Sequence, residues 1–308
     1  MPELHRKSGL ITGPLLVLSV VGLMASNAAD PAPLELAGIH NSFRVTDRII
    51  SGSQPEGDSA FAALARLGVK TIVSVDGAKP DVAAARKHGL RYIHLPFGYD
   101  GVPVQRVAEL ARAATAREGS VYVHCHHGRH RGPAAVAVIC EASAGWSRER
   151  AETWLRQAGT ADDYPGLYRA VRDFQPVTKE QLAHVGELPE TAKTPALVET
   201  MVAIDERFDA LKAVQNTGWK TPPAQPDLAP AHEATILWEH LRELARTDDT
   251  ARRPDDYRAK LADAEKAADT LRTLLGSPAP DRTALDAAFK RTAQDCAACH
   301  KTFRNGEK

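Results

Sequence analysis

The chain has 308 residues, 43% of them apolar, with 39 basic and 39 acidic side chains and four cysteines. That is a globular composition with length for two domains, and a zero formal charge gives no electrostatic footing for nucleic acid or an anionic membrane surface, both of which draw on a basic excess. Four cysteines are too few for a disulfide scaffold, so each is a candidate for chemistry of its own.

The first 28 residues read as a secretory signal peptide. His5, Arg6 and Lys7 precede an uncharged run over 9–25, and the small residues Ser26 and Ala28 suit cleavage after Ala28. The run falls a little short of the roughly 20 residues that span a bilayer, which favours cleavage over an anchor helix. Export, to the periplasm or beyond, is expected in either case.

From Ile39 to Phe174 short β-branched runs alternate with longer helical ones, the pattern of an α/β layer domain, assigned to 35–175. Strands are predicted at 71–75, 91–95 and 121–124, and helices at 58–67, 81–88, 104–117, 133–143 and 147–157. Gly68, Gly89 and Gly119 fall where three of the helices should stop.

The segment Val121-Tyr122-Val123-His124-Cys125-His126-His127-Gly128-Arg129-His130-Arg131-Gly132-Pro133 runs from a predicted strand through a tight loop into a helix. Inward-pointing N–H groups of such a loop and the positive end of the helix dipole hold phosphate. The phosphate-binding residues expected are His126, His127, Gly128, Arg129, His130 and Arg131. The same field, with nearby cations, favours the thiolate of Cys125, the reactive form of a cysteine nucleophile. The Arg131 fork suits two phosphate oxygens. A competing arrangement takes His124, Cys125, His126, His127 and His130 as a metal cluster; it is disfavoured because adjacent loop residues should project in different directions. Cys140, on the helix behind the loop, reads as an inert core thiol.

With its Cys-x5-Arg spacing, preceding His124 and internal Gly128, the loop resembles the signature of the protein tyrosine and dual-specificity phosphatases. Ile50-Ser51-Gly52-Ser53-Gln54-Pro55 and the strand ending in Asp76 extend the resemblance over about 140 residues. It implies a double displacement in which Cys125 attacks phosphorus, a cysteinyl-phosphate forms and water releases phosphate. It also implies an aspartic acid that protonates the leaving oxygen. Asp100, in Leu95-Pro96-Phe97-Gly98-Tyr99-Asp100-Gly101 after a strand, is the candidate, with Asp76 in reserve; such help is worth typically about 10²–10⁴-fold. The family usually carries serine or threonine after the arginine, whereas this chain has Gly132, so a module that binds phosphorylated ligands without turnover is the alternative.

Residues 176–193 are polar, punctuated by Pro176 and Pro189, and are predicted to be a linker. Beyond it, four amphipathic helices at 196–215, 228–247, 254–275 and 281–304 suggest an antiparallel bundle over 194–308. In the last of them stands Asp295-Cys296-Ala297-Ala298-Cys299-His300, the Cys-x-x-Cys-His attachment pattern for one covalent haem c. Cys296 and Cys299 would form thioethers and His300 would ligate iron; a redox disulfide or zinc half-site is the competing reading.

The bundle, the pattern on its last helix and the following Phe303-Arg304 resemble the class II cytochromes c, the cytochrome c′ and c-556 group. That resemblance implies a residue of the first bundle helix facing the sixth iron position. Met201 is the only methionine left after signal cleavage and lies on that helix's apolar stripe, where it either ligates iron or fills core. His232 and His240 on the second helix are weaker candidates. An axial methionine would favour electron transfer, and an open position would favour a diatomic gas.

The sequence thus predicts an exported cysteine-dependent phosphatase joined to a haem c bundle that regulates it or transfers electrons. Its expected partners are a phosphorylated protein or small molecule, a redox partner or gas, and a second copy in a homodimer. The alternative is a periplasmic class II cytochrome whose first domain only binds phosphorylated ligands.

Overall fold

The computed structural model describes residues 1, 29–115 and 118–305, and all of the expected signal peptide except Met1 lies outside them. No helix among the described residues is long and apolar enough to cross a membrane. The first domain runs β1 (Ala32–Leu36), β2 (Ile39–Arg44), β3 (Ile49–Gly52), α1 (Gly57–Arg66), β4 (Val69–Ser74), α2 (Val82–Lys87), β5 (Arg91–His94), α3 (Val104–Ala114), β6 (Ser120–His124), α4 (Arg131–Ser143), α5 (Arg148–Gln157), α6 (Pro165–Arg172) and α7 (Lys179–His184). The strands form one sheet in the order β1-β2-β3-β6-β4-β5, antiparallel through β3 and parallel from β3 to β5.

Alternation along each strand divides the core between the two faces of the sheet. Ile50, Ile72, Tyr92 and Tyr122 pack with Phe61 and Leu64 of α1 on one face. Val73, Ile93, Val121 and Val123 pack with α3 to α6 on the other. Helix α4 is buried at every position from Gly132 to Cys140, so apolar residues occupy its whole circumference there. Each fully buried Val or Ile of this run stabilises the fold by roughly 1.5–3 kcal/mol. Because β3, β4, β5 and β6 run parallel, their carboxyl ends open on one edge, with β6 between β3 and β4. Ligands of open α/β sheets bind at that edge.

The predicted strands and helices are all present within a few residues. The structure adds β1, β2, β3 and α6, and it revises the stretch expected as a linker. Within 176–193, α7 is closed by a capping box between Thr178 and Gln181, and Leu188 is buried in the core. The backbone N–H of His94 donates to the Pro189 carbonyl at 2.8 Å, the N–H of Ala192 donates to His94 Nδ1 at 3.0 Å, and Arg86 pairs with Glu190. The polar composition reflects a strap fastened to the end of β5, with the Pro189 carbonyl and the Ala192 N–H both taken by His94.

The second domain is α8 (Ala196–Asn216), α9 (Pro230–Ala245), the single turn α10 (Asp248–Ala251), α11 (Asp255–Leu275) and α12 (Arg282–Phe303). Ile204, Leu211, Leu237, Leu241, Leu261, Leu271, Leu285 and Phe289 fill its core, and Phe208 stacks on Phe289 with ring centroids 4.8 Å apart. The molecule is therefore a mixed α/β domain followed by an all-helical one.

Candidate active site

At the carboxyl end of β6 the chain turns through 125–130 and enters α4 at Arg131. Gly128 makes the turn possible, with φ +69°; a Cβ there would lie 2.6 Å from the Gly52 carbonyl oxygen and from the Ser53 nitrogen. The loop is held from outside. Asn41 Nδ2 donates to the carbonyls of Gly128 and Ala158, both at 2.9 Å; Thr160 Oγ1 donates to the Arg129 carbonyl at 2.7 Å; and the Gln54 N–H donates to the His126 carbonyl at 3.0 Å.

Cys125 lies at the base of this loop, 3% exposed. Arg131, at the first turn of α4, pairs with Asp76 at the end of β4: Nη2 to Oδ2 is 2.9 Å, and the same oxygen accepts the His126 backbone N–H at 2.7 Å. Burial raises the Asp76 carboxyl, but Arg131 and the backbone N–H groups of Ala78 and His126 outweigh it and bring the value down to about 2. Arg131 is buried too, and its partners Asp76 and Tyr99 hold it firmly protonated. Its Nε is buried with no hydrogen-bond partner among the described residues, a donor that an oxyanion would satisfy.

Around Arg131 stands an aromatic wall. The guanidinium lies 4.5 Å over the Tyr99 ring, Tyr99 stacks on Tyr164 at 4.9 Å, and His130 lies 4.4 Å from Tyr164. Burial, then Arg131, brings the His130 imidazole down to about 4, so it is neutral at neutral pH. His124 is fully buried with its Nε2 2.8 Å from the Tyr92 hydroxyl, and burial lowers it to about 4. Burial lifts the Cys140 thiol to about 12, which fits an inert core residue.

The two candidate acids part company. Asp76 has the loop but is held ionised by Arg131, so at neutral pH it has no proton to give. Asp100 is exposed on the turn after β5, its carbonyl accepting from Arg169 at 3.5 Å, and it lines a separate cleft with Val102, Arg169 and Phe174. Gly132 also has a structural reason. A Cβ there would lie 3.1 Å from the Cys125 nitrogen and 3.5 Å from its Sγ, so Cys125 and α4 approach closely.

The helical domain covers the mouth of the loop, which the sequence did not indicate. Gly77, next to Asp76, receives Val198 of α8 so closely that a Cβ would overlap it. About three turns further along α8, Asp209 Oδ2 lies 3.2 Å from His126 Nε2. Arg304, which caps α12, donates to the Tyr164 hydroxyl at 3.2 Å and lies 4.5 Å over Tyr99, on the ring that also meets Arg131. His40, Ser53, His127 and Arg129 of the first domain and Arg207 and Lys212 of the second line an open cleft beside the loop.

On α12, Cys296 and Cys299 are one turn apart and unpaired by a disulfide, and His300 follows. Cys299 and Phe303 pack half-buried on the bundle core, as does Met201 of α8. Burial raises the Cys296 thiol to about 11 and, helped by Arg304, lowers His300 to about 4. Two protonated thiols and a neutral imidazole on one stretch of half-buried helix fit a haem held through this motif.

Residues 41–185 match the family model of the DSP-PTPase phosphatase domain, described as a Swiss Army Knife protein, and residues 245–304 match that of Cytochrome C'. The dual specificity protein phosphatase TpbA of Pseudomonas aeruginosa is 30% identical over 125 residues, 40% of this chain and 56% of that relative. A beta-lactamase hydrolase-like protein of Xylella fastidiosa is 28% identical over 189 residues, 54% of this chain and 42% of its own length. The chain therefore spans about half the length of the curated relatives it matches. The crystal structure of TpbA from P. aeruginosa superposes with a TM-score of 0.42 at 27% identity, covering 49% of this chain and 92% of that one. The first domain thus resembles the dual-specificity phosphatases, and residues 245–304 of the second resemble cytochrome c′, a likeness that implies haem binding.

Proposed function

We propose that the chain is an exported cysteine-dependent phosphatase carrying one covalent haem c. The observation that carries the hydrolytic reading is the buried Arg131, fixed by Asp76 through one nitrogen and left with an unpartnered Nε, on the loop that holds Cys125. In this reading Cys125 Sγ attacks phosphorus as the phosphorus–oxygen bond to the leaving group breaks. Arg131 and the loop amides hold the three equatorial oxygens. Asp100 follows Tyr99, whose ring packs on Arg131; turned from the cleft it lines toward the loop, it gives its proton to the leaving oxygen and then takes one from the water that cleaves the cysteinyl-phosphate.

Haem bound by thioethers at Cys296 and Cys299, with His300 on iron, would supply electron-transfer or gas-binding chemistry, with Met201 as the candidate for the sixth position. Two of the contacts from the helical domain, Asp209 with His126 and Arg304 with Tyr99, support regulation of the phosphatase by the bundle.

Hydrolysis of p-nitrophenyl phosphate by purified holo-protein, with Cys125→Ser alongside, tests the reading. Activity that vanishes in the variant supports it. A parent no more active than the variant, with haem attached and thiols reduced, favours the second reading: a haem protein whose first domain binds phosphorylated ligands without turnover. Gly132, which supplies no hydroxyl beside Cys125, is the feature that favours that reading.

A further inference from the structure

The first two side chains after Cys125 turn the same way, against the expectation for adjacent loop residues. The rings of His126 and His127 lie with centroids 4.3 Å apart, tilted by 57°. Facing them are Asp205 and Asp209, i and i+4 on α8 and so on one face of that helix. One donor atom from each of the four residues lies within 4.8 Å of every other. His126 Nε2 is 3.2 Å from Asp209 Oδ2 and 3.9 Å from Asp205 Oδ2, and His127 Nε2 is 4.0 Å from Asp209 Oδ2.

We propose that these four residues bind one divalent transition cation of the zinc class, which clasps α8 of the helical domain to the phosphate loop. Zinc takes imidazole nitrogen and carboxylate oxygen at about 2.0–2.2 Å in a tetrahedron, so its ligand atoms sit roughly 3.3–3.5 Å apart. The distances here bracket that edge, and filling the site asks for movements of less than about 1 Å. An ion pair alone leaves two features unexplained. It needs one imidazole, yet His127 aims its Nε2 at the same Asp209 oxygen from beyond hydrogen-bonding distance. It also does not need two carboxylates one turn apart, which repel each other on a helix. The other Asp209 oxygen, Oδ1, accepts from Lys212 Nζ at 2.7 Å, which orients the carboxylate and leaves Oδ2 to the cation.

The site differs from the cluster weighed on sequence. His124 is turned inward to Tyr92, Cys125 lies beneath the loop, and His130 packs on Tyr164, so none of these three belongs to it. A filled clasp fixes α8 across the approach to Cys125 and so restrains bulky substrates. The proposal goes beyond the reading above and does not need hydrolysis to be correct.

The test uses full-length holo-protein, its haem thioethers formed, titrated with zinc chloride by calorimetry. The parent should bind one ion, Cys125→Ser should bind it equally, and Asp205→Asn/Asp209→Asn should weaken it by more than about 100-fold, beyond the 10–100-fold cost of losing an outer hydrogen-bond partner. His127→Ala should weaken binding too, and an unchanged haem spectrum in each variant verifies the fold. Zinc should also slow amide exchange in 126–131 and 205–209 together. Absence of binding, binding lost in Cys125→Ser, binding retained in the double Asn variant, or protection of only one of the two segments overturns the proposal. Zinc inhibition of p-nitrophenyl phosphate hydrolysis in the parent but not in the double variant would add the catalytic consequence; an inactive parent bears on the phosphatase reading alone.

Discussion

Asp76 and Arg131 form a buried ion pair whose contribution depends on pH. The folded Asp76 carboxyl, raised by burial but lowered more by Arg131 and two amides, titrates at about 2 against an ordinary 3.8. The folded value is the lower one, so the stabilisation is fully present above about pH 4 and is lost as pH falls through about 2. Asp76→Asn should cost roughly 2–3 kcal/mol at pH 7 by leaving the Arg131 charge uncompensated. Denaturant unfolding should show that gap closing as pH approaches 2. Gly128→Ala combines a left-handed backbone with a clash against Gly52 and Ser53. It should destabilise the domain by at least about 1–2 kcal/mol, with inorganic phosphate no longer raising the melting temperature. These residues were legible because the loop is contiguous: strand, Cys-x5-Arg and helix stand in one stretch of thirteen residues. The role of Asp76 was not, since only the fold shows which strand end meets Arg131.

At the scale of elements, α8 and α12 each face two ways. Helix α8 places Ile204 and Leu211 in its own core and Val198, Asp205 and Asp209 against the other domain; α12 carries Cys296 to His300 and ends on Arg304 at Tyr164 and Tyr99. Apolar periodicity revealed the first role of each helix, because a core stripe repeats along the sequence. It did not reveal the second. Two aspartates one turn apart on a polar face read as a solvated surface, and a single arginine beyond a motif carries no period. Strands β1 to β3 are as short as β4 to β6 and escaped because Pro33 and Glu35 in β1, His40 and Asn41 in β2 and Ser51-Gly52 in β3 break the apolar run that marks a buried strand. Arg304→Ala removes one of the two cations from the Tyr99 ring. It should raise KM for a small aryl phosphate by about 3–10-fold, within the 0.5–2 kcal/mol of a cation–π contact, with kcat and the haem spectrum retained.

For the molecule as a whole, both domain types were legible, since each has a local signature, whereas their juxtaposition was not. If the bundle regulates the phosphatase through α8 and Arg304, hydrolysis rates in ferric, ferrous and nitric-oxide-bound protein should differ by about 5-fold or more, the lower range of allosteric coupling. Equal rates in all three states would leave the two domains as independent functions on one chain. The strap at the end of β5 has a further consequence. Ala192 is fastened to His94 and α8 starts at Ala196, so only residues 193–195 join the strap to the bundle. A leash of that length reaches no more than about 14 Å. It keeps the bundle at an effective concentration of about millimolar or above beside the phosphate loop. Contacts too weak to join two separate proteins suffice here, so the interface can stay polar and part readily without the partners ever being lost to each other.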